Sequence, residues 1–554
     1  MKLEKNLAKR CGIFLFFDKN GYVDDYIAEI LKDLKKNLEY LLIVCNGYVD
    51  NEGRKVFSSL ADDVIYRANV GLDVGGYREG LFFIGFNKLS HFDEIIMLNY
   101  TFFGPIYPFS MMFESMASRD VDFWGITTHH ALKREENPVQ GICYGYMPEH
   151  IQSHFLVLRK SLFLSYYYKD FIFNMKNPRT YNESVAGYEI IFTKYFEDLG
   201  FKWYSYCCSD QYKDYVNHPI MFKSLEMIRD LKCPIIKRRA FFTEYGDSLV
   251  NSCGETTVEA YKFIKEQTEY NTDYIWDNIL RVENLRNIHQ QMHFNYILSE
   301  KEIKMHLLKK TIIFVVIDEN FKEYAELLDV SIENIKMETV KISDFNYYSD
   351  LLEFMIDQAS GEYTYFGVLD LVLTDTNGFS LRENFVLKKA GVENLFSSLN
   401  LIEDILENLE IDSKLGMLLS PKPLTNSFVK KFSDGWLGKY ENVKRFFEEN
   451  KWNININKSM DPIVSYNGSF WSKVDLLSLN INEIKNLKGY DKETILLILP
   501  LLFQKNLFYS GVAYSELCVE TEITDQTFML RENNKILFRK YPAGYFHEVL
   551  NQLK

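Results

Sequence analysis

The feature that most constrains this chain is a series of short apolar runs, each cut off by a polar or glycine-bearing turn and followed by a helical stretch. In the first third the runs are CGIFLFF (from Cys11), EYLLIVCNG (from Glu39), DDVIYRAN (from Asp62) and DEIIMLN (from Asp93). Helical patterns fall at about Asp24–Leu38 and near Arg78–Asn87. Alternation of this kind predicts a mostly parallel sheet with helices on both faces. DFWGITT, QSHFLVLRKSLF and the helical GYEIIFTKYFEDLG continue the pattern, with Gly200 as a helix stop.

From about Thr256 to His306 the chain reads as polar helix, and at Thr311 a second α/β pattern starts with TIIFVVIDEN. The expected organisation is therefore an α/β domain over 1–250, a helical connector over 251–308 and a second, related α/β domain over 309–554. The halves share an order of pieces. A strand ends in a polar turn (LNYT; LVLTDT), a strand with an early glycine follows (FWGITT; LGMLLSP), then a strand with polar residues and Phe enters a helix (QSHFLVLRK; NGSFWSK). Two related domains would produce this, and so would the short-range grammar common to α/β chains.

Bulk properties narrow the function classes. A net charge of −14 argues against a nucleic-acid binder, which needs a basic footprint. The eight cysteines show no Cys-x-x-Cys or zinc spacing, so reduced cytosolic thiols are expected. GIFLFF is too short for a signal-peptide core. TIIFVVI and ILLILPLLF fall short of the roughly 20 residues needed to span a bilayer. The chain is expected to be soluble, at most peripheral to a membrane. The 43 Phe, 37 Tyr and 6 Trp suit core packing and would also suit surfaces that face sugars.

Ligands of α/β proteins sit beyond the carboxyl ends of the strands. An Asp-x-Asp pair there would hold a divalent metal against a diphosphate, but Asn99-Tyr100-Thr101 offers no acid. In NVGLDVGGYREGL, glycines at 71, 75 and 76 allow close backbone approach, with Asn69, Asp73, Tyr77 and Arg78 around the bend. Taken alone the bend reads as a plain turn ahead of an anion-binding helix start. Glu189 stands early in its helix, either as a general base or as ordinary dipole chemistry. His150, Gln152 and His154 are expected on one face of a strand, with Ser153 on the other. Lys237, Arg238 and Arg239 form a basic cluster that reads as a solvated strand end ahead of a contact for a diphosphate or an anionic lipid surface. His129-His130 reads as a loop pair rather than a metal pair.

Together NVGLDVGGYREGL, IIMLNYTFFGPIYP, DVDFWGITT, HIQSHFLVLRKSLF, YEIIFTKYFEDLG, CPIIKRRAFF and YIWDNILRVENL, with LGMLLSPKP, GSFWSKVDLL and ILPLLFQKNLFYSGVAY later, resemble the rhamnan synthesis protein F family of bacterial cell-surface polysaccharide glycosyltransferases. The resemblance implies a glycosyltransferase A-type, Rossmann-like fold. It also implies transfer of L-rhamnose from dTDP-L-rhamnose to a lipid-linked acceptor at the inner face of the bacterial plasma membrane. On that reading Glu189 is the catalytic carboxylate. Asn46, Arg67, Asn69, Asp73, Gly76, Tyr77, Asn99 and Thr101 are donor-side residues, and Trp124, His150, Gln152 and Ser153 serve the acceptor or sugar. Family members usually carry Asn-Asp-Ser/Thr at the strand end, so Tyr100 departs from the pattern. Metal-independent use is favoured over Mg or Mn, with Arg67, Arg78 or the Lys237–Arg239 cluster against the diphosphate. Asp375 and Trp471 are the second-half candidates, which leaves either half, or both, as the active one. A transferase using another nucleotide sugar, or a non-catalytic glycan-binding scaffold, are the alternatives.

Overall fold

The computed structural model describes residues 2–3, 8–243, 255–299, 309–318, 334–374, 378–423 and 431–540. The chain divides into two compact units: Met1–Ile279 with Gln290–Met292, and Leu280–His289 with His293–Lys554. The helices Thr256–Gln267 and Asp273–Val282, expected as a connector, begin inside the first unit. There Thr257 Oγ1 donates to the Ala240 carbonyl at 3.1 Å and Asn278 Nδ2 to Asp24 Oδ2 at 2.7 Å.

The strands of the first unit are β1 (Arg10–Phe16), β2 (Tyr40–Asn46), β3 (Asp63–Arg67), β4 (Glu94–Asn99), β5 (Phe102–Phe103), β6 (Phe123–Gly125), β7 (Thr128–His129), β8 (His150–Ile151), β9 (Phe155–Arg159), β10 (Trp203–Ser205) and β11 (Ile236–Lys237). Seven form one sheet in the order β10-β6-β9-β4-β1-β2-β3. β1, β2 and β4 are buried along their whole length, which is why they read as unbroken apolar runs. The sheet is mixed but mostly parallel, as expected: β9 alone runs against its neighbours, β4 and β6. Its direction follows from the preceding turn. Residues 152–154 lie at the carboxyl end of β4, where the Asn99 N–H donates to the His154 carbonyl, so the chain can only return down the sheet.

The helix expected near Arg78–Asn87 starts earlier, at Leu72, and runs to Ile84. Glycine at 71 takes φ +78° at its N-cap. Gly76 serves close approach instead: a Cβ there would lie 2.1 Å from Leu15 Cδ1. The glycines that weaken helix propensity in this stretch are the ones that let it lie flat on β1 and β2.

The second unit contains β12 (Asn295–Leu298), β13 (Thr311–Ile317), β14 (Ile335–Lys341), β15 (Tyr365–Asp370), β16 (Leu415–Leu419), β17 (Phe470–Lys473) and β18 (Tyr509–Ser515), in sheet order β12-β18-β16-β17-β15-β13-β14. Only β17 runs antiparallel to its neighbours. Six positions of this sheet repeat the first in strand order and direction: β14-β13-β15-β17-β16-β18 against β2-β1-β4-β9-β6-β10. In the first unit Leu15 pairs with Asn99, and in the second Val316 pairs with Asp370. The counterpart of Asn99 is therefore Asp370 rather than Asp375, which lies outside the described residues. The apolar run LDLVL outlasts the ladder, and the hydrophobic pattern alone misplaces the strand end.

Asp370 is fully buried and filled from within its own unit. Lys388 Nζ lies 3.0 Å from Oδ1 and Lys492 Nζ 2.7 Å from Oδ2. Lys388 also donates to the Asn467 carbonyl at 2.8 Å. Trp471, a second-half candidate for ligand contact, is instead core: it is fully buried, its indole N–H donates to the Leu395 carbonyl at 3.1 Å, and its ring covers Gly367.

Candidate functional site

At the tip of β4 the Asn99 side chain does two jobs. Its Oδ1 accepts from the Thr101 N–H at 3.2 Å and from Thr101 Oγ1 at 2.7 Å, which closes the turn. Its Nδ2 donates to Asp73 Oδ2 at 3.0 Å. An ionised aspartate at position 99 could accept but not donate, so the amide is what couples the strand end to the helix that begins after Gly71. Burial pushes the Asp73 carboxyl up to about 6, while the Asn99 hydrogen bond opposes the rise and the Glu189 charge adds to it.

Asp73 opens into a cavity of about 400 Å³. Asn69, Tyr77, Tyr100 and Thr101 line it on the Asp73 side; Ser153, Arg179, Tyr181 and Glu189 also line it. Apolar side chains including Met97, Leu156, Ile172 and Phe192 complete its wall. The hydroxyls of Tyr77 and Tyr168, both lining residues, are buried without a hydrogen-bond partner among the described residues. Burial holds the Tyr77 hydroxyl well above its ordinary pKa.

Glu189 reaches the cavity through a local irregularity. Residues Val185–Glu189 form a π turn between the helices Tyr181–Ser184 and Ile190–Asp198, where the Ile190 N–H donates to the Val185 carbonyl. Such bulges are frequent at functional sites because they re-aim a side chain without ending the helix. Ser153 Oγ donates to Glu189 Oε2 at 2.6 Å. The expected alternation of residues 150–154 along one strand is replaced by a two-residue strand and a turn, and it is the turn that delivers Ser153.

Other candidates stand behind the cavity instead of lining it. Asn46 donates from Nδ2 to the Leu72 carbonyl at 3.1 Å and accepts from Arg67. Arg67 is also paired with Glu79 at 2.6 Å, and Gly76 faces Leu15, so these three brace the helix. Trp124 cannot stack on a sugar. It is fully buried and donates to Glu94 Oε1 at 3.1 Å, a buried carboxylate also bound by Arg10 at 2.7 Å and Arg159 at 3.1 Å. His150 and Gln152 belong to a separate buried cluster. The His129 and His150 rings stack at 5.3 Å, His218 lies 5.1 Å from His129, and Gln152 Nε2 contacts His218 Nε2 at 2.8 Å. Burial drives His129 and His150 down to about 4, so both are neutral near pH 7.

Sequence reasoning missed Arg179, Tyr181 and Tyr168 as lining residues; no spacing rule singles them out. At the strand end, positions 99–101 offer a hard cation an amide, a phenol and a hydroxyl but no carboxylate. Asp73 Oδ2 is already engaged by Asn99, and Asp18 Oδ1 accepts the Asn20 and Tyr22 N–H groups at 2.8 and 3.1 Å. Among the described residues no group of three His, Cys, Asp or Glu side chains is arranged to hold a metal.

Comparison with known proteins adds three kinds of likeness. The chain is 26% identical over 203 residues to the uncharacterized protein y4gN of Sinorhizobium fredii, covering 36% of this chain and 48% of that protein. It thus spans about half the length of the curated relative it matches. Among solved structures, core-mannan synthase A (CmsA/Ktr4) from Aspergillus fumigatus in its Mn/GDP form has 9% identity and a TM-score of 0.19, over 32% of this chain and 69% of that one. The mannosyltransferase Ktr4p from S. cerevisiae has 10% identity and a TM-score of 0.20, over 43% and 70%. The model of the family described as rhamnan synthesis protein F matches residues 41–377, well over half of the sequence. The chain belongs to the rhamnan synthesis protein F family.

Proposed function

We propose that the first unit transfers L-rhamnose from dTDP-L-rhamnose to a hydroxyl of a lipid-linked surface-polysaccharide acceptor. One observation carries the reading: Glu189, held by Ser153, shares a cavity with the Asp73–Asn99 strand-end pair. A carboxylate and a donor cradle within one chamber suit direct displacement, because the attacking hydroxyl can lose its proton where the anomeric carbon is presented. Asn69, Asp73, Tyr77 and Thr101 hold the nucleotide sugar. The unpartnered Tyr77 and Tyr168 hydroxyls are available to it, and their burial favours occupancy by a polar ligand. The apolar part of the wall, including Met97, Leu156, Ile172 and Phe192, suits a 6-deoxy sugar, whose methyl group needs no hydrogen-bond partner.

In the reaction the bond from the anomeric carbon to the diphosphate oxygen breaks and its electron pair leaves with dTDP. The acceptor oxygen bonds to that carbon and passes its proton to Glu189. The acceptor lipid stays in the membrane and the protein meets it from the cytoplasmic side. No helix among the described residues is long and apolar enough to cross a membrane.

The direct test is a panel of nucleotide sugars offered with a lipid-linked acceptor. Turnover of dTDP-L-rhamnose should exceed that of GDP-mannose and UDP-linked hexoses by at least about tenfold, as expected for a pocket that rejects an added hydroxyl. Equal or better use of another donor would defeat the rhamnose assignment.

Ser153 offers a finer check. Ser153→Ala should lower kcat about tenfold with little change in donor KM, since it removes a hydrogen bond to the base and no donor contact. An unchanged kcat would separate Ser153 from Glu189.

A further inference from the structure

A departing nucleoside diphosphate carries negative charge that must be met by preorganised positive charge. The two arginines beside the bend after Asn69 are already committed. Arg67 is bound to Glu79, Asn46 and the Val70 carbonyl. Arg78 is bound to the Met175 carbonyl and to Asn177 Oδ1. Arg238 lies over the rings of Tyr26 and Tyr100, at 5.9 and 5.7 Å, with its Nε buried and without a hydrogen-bond partner among the described residues, and Arg179 on the cavity wall is exposed.

Lys237 is different. It sits on β11, which pairs antiparallel with β5 in the register Lys237–Phe102, one residue beyond Thr101. The Arg238 N–H donates to the Thr101 carbonyl at 3.3 Å, which fixes this ribbon against the strand end. Lys237 is half-buried, yet its ammonium makes no hydrogen bond or ion pair with any described residue. The carboxylates of Asp73 and Glu189 lie close enough to interact with it through space. Burial lowers its pKa to about 8 against the pull of those two carboxylates. A partly desolvated charge without a contact partner is costly to keep, and an arriving anion removes that cost.

We infer that Lys237 supplies the positive charge that meets the leaving diphosphate at the tip of β4, where an acid-held metal ion would otherwise stand. The inference rests on the first-unit cavity being the donor site, and it names the group that makes the strand end work without carboxylates. As the anomeric bond breaks, the electron pair moves onto the diphosphate oxygen. Lys237 keeps its proton and balances that charge, and Glu189 takes the acceptor proton. Five groups bear on the ammonium: Asp73 from the helix after Gly71, Glu189 from the π turn, His154 from the turn before β9, His218 and Arg239. The carboxylates hold its proton on, Arg239 opposes them, and burial keeps both imidazoles neutral near pH 7.

The test uses the full chain, inorganic pyrophosphate and dTDP as calorimetric probes, and the variants Lys237→Met and Lys237→Arg. With a chelator present, wild type should bind both probes as tightly as without it. Lys237→Met should weaken both by about tenfold or more and lower turnover about a hundred- to a thousandfold, the range for removing one charge-stabilising group. Its melting temperature should not fall, because the substitution removes an unpaired charge. Wild-type affinity should drop as pH rises through about 8. Lys237→Arg should shift that drop to higher pH, since guanidinium stays protonated. Loss of pyrophosphate binding on chelation, or equal binding by Lys237→Met, overturns the inference. Pyrophosphate binding that depends on Lys237 without turnover of dTDP-L-rhamnose would sustain the inference and defeat only the donor assignment.

Discussion

Glu189→Gln is expected to cut turnover by about a hundred- to ten-thousandfold, the usual span for removing a general base. Donor affinity should stay within a few-fold of wild type. The amide keeps the size of the side chain and can still accept from Ser153 Oγ, so the π turn and the cavity keep their shape. What it loses is the capacity to take a proton. Asp73 cannot replace it: its Oδ2 is engaged by Asn99, and its position at the start of the helix after Gly71 places it on the donor side. Calorimetry with dTDP beside steady-state kinetics separates the two effects. A variant that keeps its turnover removes Glu189 from catalysis, and one that loses both binding and turnover makes it a structural residue.

The other large effect is expected far from any substrate. Asp370→Ala should destabilise the second unit by about 3–5 kcal/mol, because it leaves Lys388 and Lys492 buried without their anion. Lys388→Met should cost less, since Lys492 still faces Asp370. Neither should change dTDP affinity, because the residues that line the proposed donor cavity all belong to the first unit. Chemical denaturation followed by limited proteolysis measures the first expectation, and a calorimetric stoichiometry of one nucleotide per chain measures the second. A second nucleotide that disappears in Asp370→Ala would mean that the second unit is itself a donor site.

Buried parallel strands are continuous apolar runs, so β1, β2, β4 and β13 were visible in the sequence, and so was the shared order of pieces in the two halves. The first turns of the helix after Gly71 carry little helical signal, because their glycines lower local propensity while tertiary packing on Leu15 and Ile13 requires them. Trp124 read as a sugar platform because nothing near it in sequence shows that Glu94, Arg10 and Arg159 surround it with a buried ionic core. The π turn had no signature beyond Ala186-Gly187, and Lys237 reaches Thr101 only through a two-residue ribbon formed by segments distant in sequence. Motif reading found both walls of the cavity, Asn69–Tyr77 and Ser153 with Glu189, but not what holds them together.

The two sheets resolve the same geometric position in opposite ways. Asp370 is riveted by lysines of its own unit, so the second half needs no visitor to be complete. Around Asn99 the first half leaves an ammonium and two phenols without partners among the described residues, so on the proposed reading a bound nucleotide sugar stabilises it through mass action. Donor supply would then shift the stability of one half and leave the other unmoved.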